Sequence, residues 1–91
     1  MKRPELHYAR DRRCYNGAMC SDLQREITSR NNIRKQILAV EPGFYTTYFP
    51  VEGKYSGWVK KDHKYKEITG SHEDVGDALL EAWDKLVQPE R

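Results

Sequence analysis

The chain has 91 residues, of which 33% are charged and 37% hydrophobic, and its net charge is +2. This length supports one domain, 1–91, and ten aromatics argue against wholesale disorder. No run approaches the roughly 18 apolar residues of a membrane span. Met1-Lys2-Arg3-Pro4-Glu5 leads into no apolar signal region, and two cysteines make no disulfide scaffold, which together predict a reduced, cytoplasmic chain with no membrane partner.

Charge is distributed unevenly. Residues 1–40 hold nine Lys/Arg against four Asp/Glu, residues 41–70 five against four, and residues 71–91 two against six. A chain that runs from basic to acidic suits docking on a charged macromolecule.

Residues 1–20 show no hydrophobic periodicity, and Asn16-Gly17 is a turn signal, so this stretch reads as an extended arm. Cys14 and Cys20 have five residues between them, whereas zinc knuckles use two to four. With His7, His63 and His72 dispersed and no partner base in reach, the cysteines read as ordinary thiols, with no metal site and no cofactor.

Ser21-Asp22 caps a helix predicted over 21–40, with apolar positions Leu23, Ile27, Ile33, Ile37, Leu38 and Val40. Ser29-Arg30-Asn31-Asn32 are poor helix formers at its middle, so either one helix runs through or a second starts at Asn31 or Asn32. Arg30 and Arg34 share one side of it at an i, i+4 step. With Arg10, Arg12, Arg13, Arg25 and Lys35 they form a cationic surface.

Residues 44–69 read as three strands. Phe44-Tyr45-Thr46-Thr47-Tyr48-Phe49 is wholly aromatic or β-branched, between Pro42-Gly43 and Pro50. Pro50-Val51-Glu52-Gly53 is a turn with glycine last. Tyr55 to Lys60 is the second strand, Asp62-His63 the tip of a hairpin, and Tyr65 to Thr69 the third strand, closed by Gly70. A three-residue loop would set Trp58 opposite Ile68, and a slip of one residue would exchange the faces.

The last element is a helix over 72–87. Ser71 is its expected cap, with Glu73, Asp74 and Asp77 at the positive end of the dipole. Val75, Ala78, Leu79, Ala82, Trp83 and Leu86 form one apolar stripe, Gly76 interrupts it to allow close approach to the sheet, and Pro89 ends it. The fold expected is α+β: a three-stranded antiparallel meander packed against this helix and a helical N-terminal segment. Its expected core is Leu23, Ile27, Ile37, Leu38, Trp58 or Val59, Ile68, Val75, Leu79, Trp83 and Leu86.

No phosphate-binding glycine loop, nucleophile elbow or metalloprotease helix is present, and His63 and His72 stand at positions expected to be solvated. The expectation is a binding protein, not an enzyme, with no catalytic residues. Two surfaces qualify. Lys54, Lys60, Lys61, Lys64 and Lys66 alternate with Tyr55, Trp58 and Tyr65, placing cations for phosphate beside rings for bases. Glu73, Asp77, Glu81 and Asp84 give the last helix an acidic face that can present carboxylates in place of phosphate to a basic channel, with Tyr45, Tyr48 and Tyr55 as anchors. The other readings of that face are plain solvated surface, or pairing with the Arg-rich N-terminal part within the chain or in a homodimer.

The run Gly53-Lys54-Tyr55-Ser56-Gly57-Trp58-Val59-Lys60, then Ile68-Thr69-Gly70, then Asp77-Ala78-Leu79-Leu80-Glu81-Ala82-Trp83 resembles small phage-encoded α/β proteins of helix–three strands–helix layout, anti-CRISPR inhibitors among them. That resemblance implies a protein that docks on a host protein or ribonucleoprotein complex and inhibits or modulates it. The same stretch is similar to helix-backed, three-stranded DNA-binding modules of the integrase N-terminal type, which implies direct nucleic-acid binding. The sheet here carries lysines and no arginine; lysine is a point charge that holds phosphate without reading guanine.

Overall fold

The computed structural model describes residues 3–10 and 21–88. Its elements are α1 (Ser21–Val40), β1 (Phe44–Phe49), β2 (Lys54–Lys61), β3 (Lys64–Glu67) and α2 (Val75–Leu86), an α+β fold with an antiparallel sheet in the order β1-β2-β3. Both helices lie on one side of the sheet, around a core of Ile33, Ile37, Phe44, Val59, Leu79, Ala82 and Trp83.

One helix of 20 residues runs through the weak Ser29–Asn32 segment. Tertiary contacts override propensity there, because Arg30 turns inward. Its Nη2 reaches both carboxylate oxygens of Asp74 at 2.8 Å, and its Nη1 donates to the His7 carbonyl at 2.9 Å. The inward stripe of α1 is therefore Glu26, Arg30, Ile33 and Ile37, at steps of four, three and four. Ile27 and Leu38, expected in the core, lie one position off this stripe and are 40% and 37% exposed. Leu23 is half-buried.

The β1–β2 turn forms as expected, with Gly53 at φ 66° and its N–H donating to Phe49 O at 2.8 Å. The β2–β3 loop has two residues, not three: Asp62 and His63, at φ 52° and 65°, both in the left-handed region that the type I′ hairpin turn requires. Trp58 thus stands opposite Glu67, and Ile68 bonds back to Gly57 through its N–H at 2.9 Å. This register sends Val59 to the core and Trp58 to the opposite side.

Beyond Glu67 the third strand gives way to a bulge, and pairing resumes only where His72 exchanges both backbone hydrogen bonds with Tyr55, at 2.7 and 2.9 Å. The bulge folds Thr69 over Gly57, whose N–H donates to Thr69 Oγ1 at 2.7 Å. A Cβ on Gly57 would lie 2.9 Å from Thr69 Cγ2, so only glycine fits there. Because the bridge holds His72 extended, α2 starts later than expected. Asp74 is its N-cap in place of Ser71, with φ −117°, ψ 132° and its carboxylate accepting from Gly76 N at 2.7 Å. Gly76 faces the N-terminal arm, not the sheet: a Cβ there would meet Leu6 Cδ2 at 2.7 Å.

Trp83, 1% exposed, is the largest buried side chain, and its Nε1–H donates to Gln36 Oε1 of α1 at 2.7 Å. It couples the two helices by both packing and a polar bond. Trp83→Ala should lower unfolding stability by roughly 3–5 kcal/mol, whereas Ile27→Ala, on the exposed flank of α1, should cost under about 1 kcal/mol. Urea titrations of the two variants check this ordering.

Candidate functional site: the outer face of the sheet

Strand pairing decides which side chains share a surface. Residues directly opposite lie on one face and neighbours in sequence on opposite faces. Phe44, Val59 and Ile68 pack with the helices, so Thr46, Tyr48, Tyr55, Gly57, Lys61, Lys64 and Lys66 share their side. Tyr45, Thr47, Phe49, Lys54, Ser56, Trp58, Lys60, Tyr65 and Glu67 form the outer face, which no helix of the described residues covers.

The sequence-predicted basic–aromatic set is thereby divided. Lys54, Lys60 and Tyr65 stand together on the outer face. Tyr55, Lys61, Lys64 and Lys66 are on the helix side, where the last three rim a depression of about 550 Å³ with Val59, Ile68 and Leu86 in its walls. Tyr55 stacks at a tilt on Tyr48, with ring centroids 4.8 Å apart. On the outer face Trp58, Tyr45 and Phe49 join the lysines. Tyr45 and Tyr65 meet edge to face at 6.4 Å and 87°, and Lys60 Nζ lies 5.5 Å from the Tyr65 ring centroid. Tyr65 is 60% exposed. Phe49 was not among the sequence-predicted residues; the signal that finds it is strand parity, once the loop length is known.

Among the described residues three polar atoms on this face have no hydrogen-bond partner although they are shielded from water: Thr47 Oγ1, Ser56 Oγ and Trp58 Nε1. Thr47 and Ser56 are directly opposite each other, and Trp58 follows on the same side of β2. Native structures leave few such groups, so three on one face is a local feature of this surface.

The acidic helix is engaged within the chain. Asp84 pairs with Arg3 at 2.9 Å, Asp77 accepts the Tyr8 hydroxyl, and Glu81 accepts from Lys85 at 2.7 Å and contacts His72 Nε2 at 2.6 Å. Glu73 alone of the four is exposed. The bond to Asp77, with partial burial, pushes the Tyr8 hydroxyl up to about 12. Partial burial of Glu81 raises its pKa, but hydrogen bonds from Lys85, His72 and the Gly70 N–H together outweigh it and hold the carboxyl below its ordinary 4.5. His72, expected to be solvated in a first helical turn, is half-buried between Tyr55 and Glu81. His63 is exposed at the hairpin tip.

The N-terminal cationic surface is also altered. Arg30 is committed to Asp74, and Arg12, Arg13, Cys14 and Cys20 lie outside the described residues. His7, Ala9 and Arg10 of the arm bond to Asp22, Ser29 and Glu26 of α1, which seats the arm on that helix. Among the described residues no helix is long and apolar enough to cross a membrane. No family model, curated protein or solved structure matches the chain.

Glu81 makes a pH prediction. Its folded pKa is depressed, so its contribution to stability is present above the unfolded value of 4.5 and is lost as pH falls through the lower folded value. Thermal melts from neutral to acid pH should show Glu81→Gln less stable than wild type at neutral pH, with the two curves converging below pH 4.5. A gap that persists at the acid end would refute the assignment.

Proposed function

We propose that the protein is a binding module that takes single-stranded nucleic acid on the outer face of its sheet, either free or held within a host ribonucleoprotein complex. The single observation that carries this reading is the grouping of Tyr45, Phe49, Trp58 and Tyr65 with Lys54 and Lys60 on a face that no helix of the described residues covers. Rings on successive strands offer stacking surfaces to successive bases, and flanking ammonium groups meet the phosphates. A duplex hides its bases' faces, so this arrangement favours single strands.

Charge and hydrogen bonding support the same reading. On the outer face Lys54 and Lys60 stand against Glu67, and Lys61, Lys64 and Lys66 add three cations to the other side of the same hairpin. Lysine neutralises phosphate without base readout, so the binding is largely indifferent to sequence. The unpartnered Thr47, Ser56 and Trp58 groups each cost on the order of 1–3 kcal/mol unmade. The acidic-helix mode of inhibition loses support, because Asp77, Glu81 and Asp84 are held by Tyr8, His72, Lys85 and Arg3. The resemblance to phage-encoded inhibitors fits a chain whose target is nucleic acid or the complex that carries it.

Anisotropy titrations with a labelled single-stranded oligonucleotide at low salt test this. Trp58→Ala and Tyr65→Ala should each weaken binding by about 1–3 kcal/mol, and Lys60→Gln should reduce the logarithmic salt slope by roughly 0.7. Lys35→Gln, on α1, should change nothing. No binding at low salt, or equal binding by Trp58→Ala, would overturn the proposal.

A further inference from the structure

The two edges of the sheet are built differently. On β3 every residue is exposed, and Lys64, Lys66 and Glu67 supply the charges that natural proteins use to keep an edge from pairing. On β1 nothing of the kind is present. Residues 42–51 contain no charged side chain, and β1 itself has no proline and no bulge. Among the described residues no segment pairs with its outer edge.

Hydrogen-bond parity identifies the free groups on that edge. Lys60 N–H donates to Gly43 O at 2.9 Å, so Gly43, Tyr45, Thr47 and Phe49 turn their backbone groups toward β2. Phe44, Thr46 and Tyr48 turn theirs outward. The Phe44 N–H is spent on Glu41 O at 3.1 Å. Among the described residues nothing takes the N–H groups of Thr46 and Tyr48 or the carbonyls of all three, which remain for an incoming strand.

We infer that β1 pairs with β1 of a second copy of this chain, antiparallel and centred on Thr46, to make one six-stranded sheet. The segment is its own complement in that register. Thr46 meets the partner's Thr46, Phe44 meets the partner's Tyr48, and Tyr45 meets the partner's Thr47, pairs of types that stabilise antiparallel ladders. Roughly four main-chain hydrogen bonds form.

Exposed apolar side chains at the ends of the strand fit this occupant. Val40, Tyr48 and Val51 are 54%, 51% and 100% exposed. An antiparallel two-fold brings Val51 of one copy toward the end of α1 in the other, beside the partner's Val40, and covers Tyr48. One copy's apolar end thus supplies what the other's lacks. The pairing also joins the two aromatic outer faces edge to edge, although it stands whether or not that face binds nucleic acid.

Sedimentation equilibrium of the wild-type chain across the micromolar range, beside Thr46→Pro, tests the inference. The Thr46 N–H points away from β2, so proline there removes no bond within the sheet. The expected result is a wild-type mass rising from 10.7 kDa to twice that value with concentration, and a folded, monomeric Thr46→Pro chain. Amide exchange of the wild type gives a reading that needs no variant. Protection at Thr46 and Tyr48 should rise by roughly tenfold or more as the dimer forms. A wild-type chain that stays monomeric throughout overturns the inference. So does a folded Thr46→Pro chain that still dimerises, or a dimer whose Thr46 and Tyr48 amides stay unprotected.

Discussion

Arg30 is the side chain on which the assembly of this small fold turns. Its guanidinium grips the Asp74 carboxylate with two bonds of 2.8 Å, while a further nitrogen holds the His7 carbonyl and the Glu26 carbonyl. Asp74 is also the N-cap of α2, so one charge-assisted pair ties the middle of α1, the start of α2 and the arm. Tyr8 completes the joint by laying its ring 5.6 Å from the guanidinium and donating to Asp77. The side chain of Arg30 is only 11% exposed, and Glu26 beside it is buried. Removing one partner would strand a charge in low dielectric, so the pair acts mainly to fix how the helices meet, with little net gain over an apolar contact of equal shape.

The second constraint is the two-residue loop at Asp62-His63. By placing Trp58 opposite Glu67, it sends Val59 inward and leaves Trp58, Lys60 and Tyr65 together on the far side. The sheet then needs close approaches that only glycine permits. A Cβ on Gly43 would lie 2.2 Å from the Lys60 carbonyl oxygen, at the very pair that fixes the parity of β1. Gly57 plays the same part under Thr69. The outer face and the free edge are thus two consequences of one register.

What could be read beforehand follows physical lines. The α2 stripe is apolar from Val75 to Leu86, so periodicity alone found its face, and Leu79 and Trp83 are buried as that pattern requires. The three strands announced themselves through β-branched and aromatic runs between Pro and Gly. The face of α1 did not, because half of its inward stripe is the Glu26–Arg30 ion pair, and hydrophobic periodicity is blind to a buried charge with a distant partner. That partner, Asp74, was itself hidden by Ser71, a locally plausible cap that loses to the His72–Tyr55 bridge. The hairpin register was equally hidden: Asp62-His63 adopts a turn that Asn-Gly signals and Asp-His does not. Lysines and aromatics of the candidate surface were visible one by one, but their division between faces depends on that register.

The charge asymmetry of the chain has a corresponding resolution. Its basic start and acidic end look in sequence like two poles available to partners. Folding brings part of them together: Arg3 meets Asp84 and Arg30 meets Asp74, while Lys85 meets Glu81 within α2 itself. Each exposed pair contributes little energy yet removes field from the surface where it forms. The β2–β3 hairpin has no such counterweight, since Asp62 and Glu67 are its only acids against five lysines. Net segment charge therefore understates the cationic hairpin. It lies in the middle third, which is nearly neutral as a segment only because Glu41 and Glu52 are counted with it.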